Sequence, residues 1–206
     1  MGRTRGRWLL VAAALIAALG GFWLARQLDR GAPRLASGTW LPQPRPVADF
    51  QLRDIYGEAF TRARLAGAPT LVFFGFTHCP DVCPTTLVKL TQVRKQAGIA
   101  ALRVLFVSID PQRDTPQAIA LYVHAFDPEF LGATGDDATI GRVAREFGVA
   151  VNRVDLPGGD YTMDHSAVVF LLDDAARIVA IFTPPFDVAQ MAGDLRQAAP
   201  YLRAHS

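Results

Sequence analysis

The run Thr70-Leu71-Val72-Phe73-Phe74-Gly75-Phe76 limits the possible folds more than any other part of the chain. It is a continuous apolar stretch of strand length. Such a strand is buried on both faces, which predicts a central place in a layered domain. Thr85 to Ala97 follows, with Leu87, Leu90, Val93 and Ala97 at helical spacing, and Arg103 to Ile109 is a second apolar run. A helix crossing between two buried strands implies a parallel core.

The rest of the chain extends this pattern. Val47 to Leu65 reads as a short hairpin turning at Tyr56-Gly57-Glu58. Thr115 to Phe126 reads as a helix with Thr115 as N-cap and Pro116 at its first position. Asp137 to Phe147 is a further helix stopped by Gly148, and Val149 to Val154 a strand. Ser166 to Leu172 and Arg177 to Thr183 flank Asp173-Asp174-Ala175-Ala176 as a hairpin, and Asp187 to Leu202 closes the chain as an amphipathic helix. The expected fold is α/β and thioredoxin-like: a central mixed sheet flanked by helices, plus an N-terminal transmembrane helix.

That helix is expected at residues 8–25. Trp8 to Ala25 carries no charge, and a membrane-spanning helix needs roughly 20 apolar residues. Trp8 and Trp23 sit near its ends, where amphipathic rings favour the interface. A cleaved signal peptide is the competing reading, but its apolar stretch is usually shorter. No cysteine follows closely, which excludes a bacterial lipoprotein anchor. Arg3, Arg5 and Arg7 place residues 1–7 in the cytoplasm, although Arg26, Arg30 and Arg34 weaken that bias. Residues 26–46, with Pro42, Pro44 and Pro46, read as a linker, and 47–206 as the folded domain.

The net charge is only +2, with no basic stripe interleaved with aromatics, so nucleic acid is not an expected partner. Cys79 and Cys83 are the only cysteines, too few for a disulfide scaffold. The plain reading is one structural disulfide or two buried thiols; the chemical one is redox or metal binding. The pair lies where a buried strand hands over to a helix, whose first N–H groups favour thiolate. Thioredoxins have two residues between their cysteines. Here there are three, Pro80, Asp81 and Val82, and the wider spacing suits an ion between the sulfurs. Two thiolates without a carboxylate cluster select Cu(I) or Zn(II). Structural zinc usually takes four ligands, so copper is favoured.

A third ligand must come from elsewhere. His78 reads as a polar loop residue, His124 as a surface residue late in a helix, and His205 lies in the tail. His165, in Tyr161-Thr162-Met163-Asp164-His165-Ser166, directly precedes a buried strand. In a thioredoxin-like topology that loop faces the cysteine helix. Thioredoxins place a cis-proline there, and this chain has none. His165 is therefore either a hydrogen-bonded loop histidine or the third ligand.

The segment from Phe74 through His78-Cys79-Pro80-Asp81-Val82-Cys83 to Pro84 resembles the signature of the Sco/SenC family. So do Ser108-Ile109-Asp110-Pro111-Gln112-Arg113-Asp114-Thr115-Pro116 and Asp164-His165-Ser166. The likeness runs from about Pro46 to Leu202. It implies copper, as Cu(I) or Cu(II), held by Cys79, Cys83 and His165, with Asp164 and Asp110 orienting His165 or tuning the charge; the plain reading of Asp110 is a loop residue capping the next helix. It implies delivery of copper to the dinuclear site of cytochrome c oxidase subunit II, with other periplasmic copper chaperones as further partners. The implied location is the inner membrane, single-pass, with the soluble domain in the periplasm or, in mitochondria, the intermembrane space.

Two other functions fit the same fold. A thiol-disulfide oxidoreductase would use Cys79 and Cys83 as a redox pair through a mixed disulfide, reducing the cysteines of that target site. A peroxidase would need a Thr three residues before its cysteine, but Phe76 and Pro80 stand there.

Overall fold

The computed structural model describes residues 16–21 and 32–203. Residues 16–21 are helical, and among the described residues no helix is long and apolar enough to cross a membrane. Residues 1–7, expected to be cytoplasmic, most of the expected anchor at 8–25, residues 26–31 of the expected linker and His205 lie outside the described residues. The chain divides into two compact units, Met1–Ala32 and Pro33–Ser206.

The second unit is built on a mixed sheet of eight strands. In chain order these are β1 (Gly38–Pro46), β2 (Gln51–Asp54), β3 (Ala59–Thr61), β4 (Thr70–Gly75), β5 (Arg103–Ser108), β6 (Leu131–Thr134), β9 (Val169–Leu172) and β10 (Arg177–Phe182). Their spatial order is β1-β10-β9-β4-β5-β6-β2-β3. The expected central strand is β4, buried at every residue. It pairs in parallel with β5 and antiparallel with β9, and β5 pairs in parallel with β6. A separate two-stranded sheet joins β7 (Val151–Asp155) to β8 (Tyr161–His165). The helices are α1 (Val82–Ala97), α2 (Pro116–His124), α3 (Asp137–Phe147) and α4 (Val188–Ala198).

Strand alternation sorts the core of β4 into two layers. Phe74 turns to one face, edge-on to Phe147 of α3 and Phe170 of β9, with ring centroids 5.1 and 6.3 Å away. Phe73 turns to the other, toward Phe106 of β5 at 6.3 Å, and Phe106 meets Tyr122 of α2 at 5.6 Å. The expected cap at Thr115 and stop at Gly148 form, and Asp187 caps α4. Thr115 accepts from Ala118 N, Asp187 from Gln190 N, and Gly148 ends α3 at φ 77°. A left-handed residue at that position is most easily supplied by glycine.

Three expectations are corrected. Gly38–Pro46, read as linker, is strand β1 on the sheet edge against β10. Its prolines mislead because an edge strand tolerates missing donors, and the pairing breaks between Trp40 and Arg45. The start of β1 is fixed by Asp194 of α4, a buried carboxylate that accepts from Ala36 N (2.6 Å), Ser37 N (2.8 Å), Ser37 Oγ (2.8 Å) and Gly38 N (3.1 Å). Second, Tyr161–His165, read as a loop, is strand β8. Third, β6 was not anticipated. It is short and contains Gly132, where a Cβ would lie 2.5 Å from Ile119 and 2.7 Å from Ile55.

Candidate metal centre

The site forms at the end of β4, where the chain turns toward α1. Cys79 precedes Pro80, and a residue before proline is kept out of the helical region. The helix starts at Val82, so Cys83 lies in its first turn and Cys79 in the loop before it. Only one of the two cysteines is therefore on the helix. The Cys79 sulfur instead helps to cap it. Asp81 makes no side-chain cap bond to the backbone, whereas Cys83 N donates to Cys79 Sγ at 3.4 Å. That contact offsets one of the unpaired donors every helix start carries.

Cys83 is fully buried, and its sulfur occupies the space left by Gly75. A Cβ at Gly75 would lie 2.9 Å from Cys83 Sγ and 2.8 Å from the Phe106 ring. A glycine is thus required by close approach of the β4 backbone to the sulfur. His165, at the end of β8, reaches the same sulfur from the other side: Nε2 lies 3.7 Å from Cys83 Sγ. Its Nδ1 faces Ser166 O at 3.2 Å, which favours a proton on Nδ1 and a lone pair on Nε2. The imidazole is held edge-on by Phe73 and Phe76, both 6.1 Å away between centroids. Cys79 and His165 also line one cleft of about 190 Å³, with Phe76, Pro80, Val82 and Met163.

The two thiols are unequal. The Cys79 pKa is lowered to about 5. The main cause is the hydrogen bond from the Cys83 thiol; burial opposes it, and the Cys83 and Asp81 backbone and His165 assist. Cys83 is raised far above the ordinary thiol range, because its proton is held between the sulfurs and its surroundings are apolar. Cys79 is therefore a thiolate above about pH 5 and Cys83 a thiol. In the metal-free, reduced chain, iodoacetamide should modify Cys79 at a rate nearly flat between about pH 6 and 8 and falling below about pH 5. An ordinary thiol of pKa about 8.5 would instead gain roughly tenfold per pH unit there. Mass spectrometry of the alkylated peptide checks both the profile and the sparing of Cys83.

Hydrogen bonding from neighbouring loops fixes both halves of the site. Asp114, buried before α2, accepts from Thr77 N (2.9 Å), Thr77 Oγ1 (2.6 Å) and Ser108 Oγ (2.6 Å), and lies 3.6 Å from His78 Nδ1. It ties the loop after β4 to the end of β5. The sequence did not single out Asp114, although it stands within the second motif. Asp110 acts on the other half. It accepts from Tyr161 Oη at 2.8 Å and Arg113 Nε at 2.6 Å, and Arg113 Nη1 also donates to Tyr161 O at 2.9 Å. The Tyr161 ring lies between Arg113 and Arg153, at 3.7 and 3.8 Å. Asp110 thus braces strand β8 rather than touching His165. Asp164 is exposed beside His165, across from Asn152 on β7.

Cys79, Cys83 and His165 come together from a loop, a helix and a hairpin, but they are not closed into a finished shell. Among the described residues no three His, Cys, Asp or Glu side chains stand at ion-holding spacing. Cys83 is the hub, contacting Cys79 on one side and His165 on the other. Donors sharing one ion through bonds of about 2.3 Å to sulfur and 2.0 Å to nitrogen, at roughly 120°, stand about 3.7 Å apart. Cys83 and His165 already have that separation. Two sulfurs and one imidazole suit a soft ion of low coordination number, and the donor set fits Cu(I).

The SCO1/SenC family matches residues 41–200. The mitochondrial SCO2 homolog of Bos taurus is 36% identical over 207 residues, covering 95% of this chain and 75% of that protein. The human SCO2 homolog is 36% identical over 178 residues, covering 83% of this chain and 66% of its own length. Among solved structures, copper-bound ScoI of Arabidopsis thaliana is similar with a TM-score of 0.71 at 33% identity, covering 75% of this chain and 98% of that one. Copper-bound ScoI of Bradyrhizobium japonicum gives 0.67 at 41% identity, covering 74% and 98%.

Proposed function

The chain belongs to the SCO1/SenC family, and from that premise we propose that it binds copper as cargo and delivers it during assembly of cytochrome c oxidase. The cargo is held by Cys79, Cys83 and His165, and its destination is the dinuclear copper site of subunit II. The observation that carries this reading is the 3.7 Å approach of His165 Nε2 to the buried Cys83 sulfur. Dithiol reduction has no need of an imidazole at the buried sulfur, whereas a metal site does. The solved relatives from Arabidopsis and Bradyrhizobium, both named as copper-bound, support it.

Loading Cu(I) displaces the Cys83 thiol proton and leaves both sulfurs as thiolates. His165 supplies its Nε2 lone pair, and the cleft beside Cys79 gives an acceptor thiolate access for ligand exchange. Residues 8–25 anchor the chain in the inner membrane as a single span, residues 1–7 remain cytoplasmic, and the domain faces the periplasm. There other copper chaperones can load it.

Transfer is the direct test. The full-length chain carrying one Cu(I) is mixed anaerobically with a reduced soluble copper domain of oxidase subunit II. Copper should move to the acceptor. If the copper stays on the chain while disulfide-form acceptor is reduced by the metal-free chain, the function is thiol reduction and the delivery reading fails.

A further inference from the structure

Met163 lies between two fixed points of β8. At one end Tyr161 is held by Asp110 and the two arginines; at the other His165 reaches Cys83. Residues two apart on a strand share a face, so Tyr161, Met163 and His165 all turn the same way. Met163 is half-buried and lines the cleft with Cys79 and His165. Phe76, Pro80, Val82 and Ala167 along that cleft carry no side-chain donor, and Asp81, Thr162 and Asp164 offer only hard oxygens, so Met163 is the one further soft donor among the lining residues. Met163 packs against the hydrophobic core on one side and faces the cleft, beside two expected ligands, on the other.

We propose that the Met163 thioether is a fourth donor to the cargo on the open side of the site, and that it biases the site toward Cu(I). This rests on the copper reading above. A thioether is soft, neutral and needs no deprotonation, so it adds affinity for cuprous ion and little for ions that prefer nitrogen or oxygen. Placed at the cleft, it is the donor an incoming acceptor meets first. It can keep hold of the ion while a partner thiolate replaces one of the other three.

The test uses the full-length chain produced with selenomethionine and loaded with one Cu(I). Copper-edge X-ray absorption should show a selenium neighbour, and Met163→Leu should remove it while Met1 and Met191 remain. Chelator-driven release of Cu(I) should be about tenfold faster in Met163→Leu, at the low end of what loss of a supporting contact does. Copper bound with sulfur and nitrogen neighbours but no selenium overturns this inference and leaves the proposed function standing. Failure to retain copper at all overturns both.

Discussion

Cys83→Ala should abolish tight Cu(I) binding, and His165→Ala should weaken it by at least about 100-fold, beyond the 10–100-fold that follows loss of a ligand's outer partner. Cys83 is the larger effect because its sulfur is the hub. It lies against the β4 backbone at Gly75 and stands 3.7 Å from His165 Nε2, while the backbone N–H of the same residue donates to the Cys79 sulfur. Without it the remaining donors have no common point. Trimming one buried sulfur costs little packing, of the order of 1–2 kcal/mol, so the variant should remain folded. His165→Ala leaves the dithiol intact, so it should lose copper while still being oxidised and reduced. Competition for Cu(I) against a chromophoric chelator measures both variants, with circular dichroism to confirm folding. Wild-type affinity in either one would sink the three-donor assignment.

The sequence makes those three residues legible because each stands in a local pattern. Cys79 and Cys83 follow a run that reads as a buried strand, and His165 precedes another. What stays hidden depends on contacts distant in the chain. Asp114 serves Thr77, 37 residues earlier, and no local spacing announces that bond. The same holds for Asp194, whose partners near Ser37 lie 157 residues away. β8 escapes notice for another reason. It pairs only with β7, outside the main sheet, so its residues lack the long apolar run by which β4 and β5 stand out. Asp110 was expected to orient His165 or tune the charge. It accepts from Tyr161, 51 residues later, on the strand that ends in His165, a contact visible only in three dimensions.

Asp114→Ala should destabilise the domain by about 2–4 kcal/mol, lowering Tm by roughly 5–12 °C for a domain of this size. The carboxylate is buried and accepts from Thr77 N, Thr77 Oγ1 and Ser108 Oγ. Alanine leaves those donors in a place where water cannot easily replace the oxygen atoms. Each buried, unmet donor costs about 1–3 kcal/mol, and neighbouring losses are less than additive. The damage is also local. Thr77 is two residues before Cys79, and Cys79 N donates to Phe76 O at 3.2 Å, so loosening Thr77 frees the loop that aims the half-buried thiolate. Copper affinity should therefore fall by about 10–100-fold, though Asp114 touches no ligand. Asp114→Asn separates shape from charge. It keeps the volume and one acceptor oxygen but replaces the other with N–H₂, so it should recover only part of the stability. Urea unfolding and chelator competition on the three proteins measure both effects. An alanine variant within about 0.5 kcal/mol of wild type would mean that Asp114 does not hold the cysteine loop.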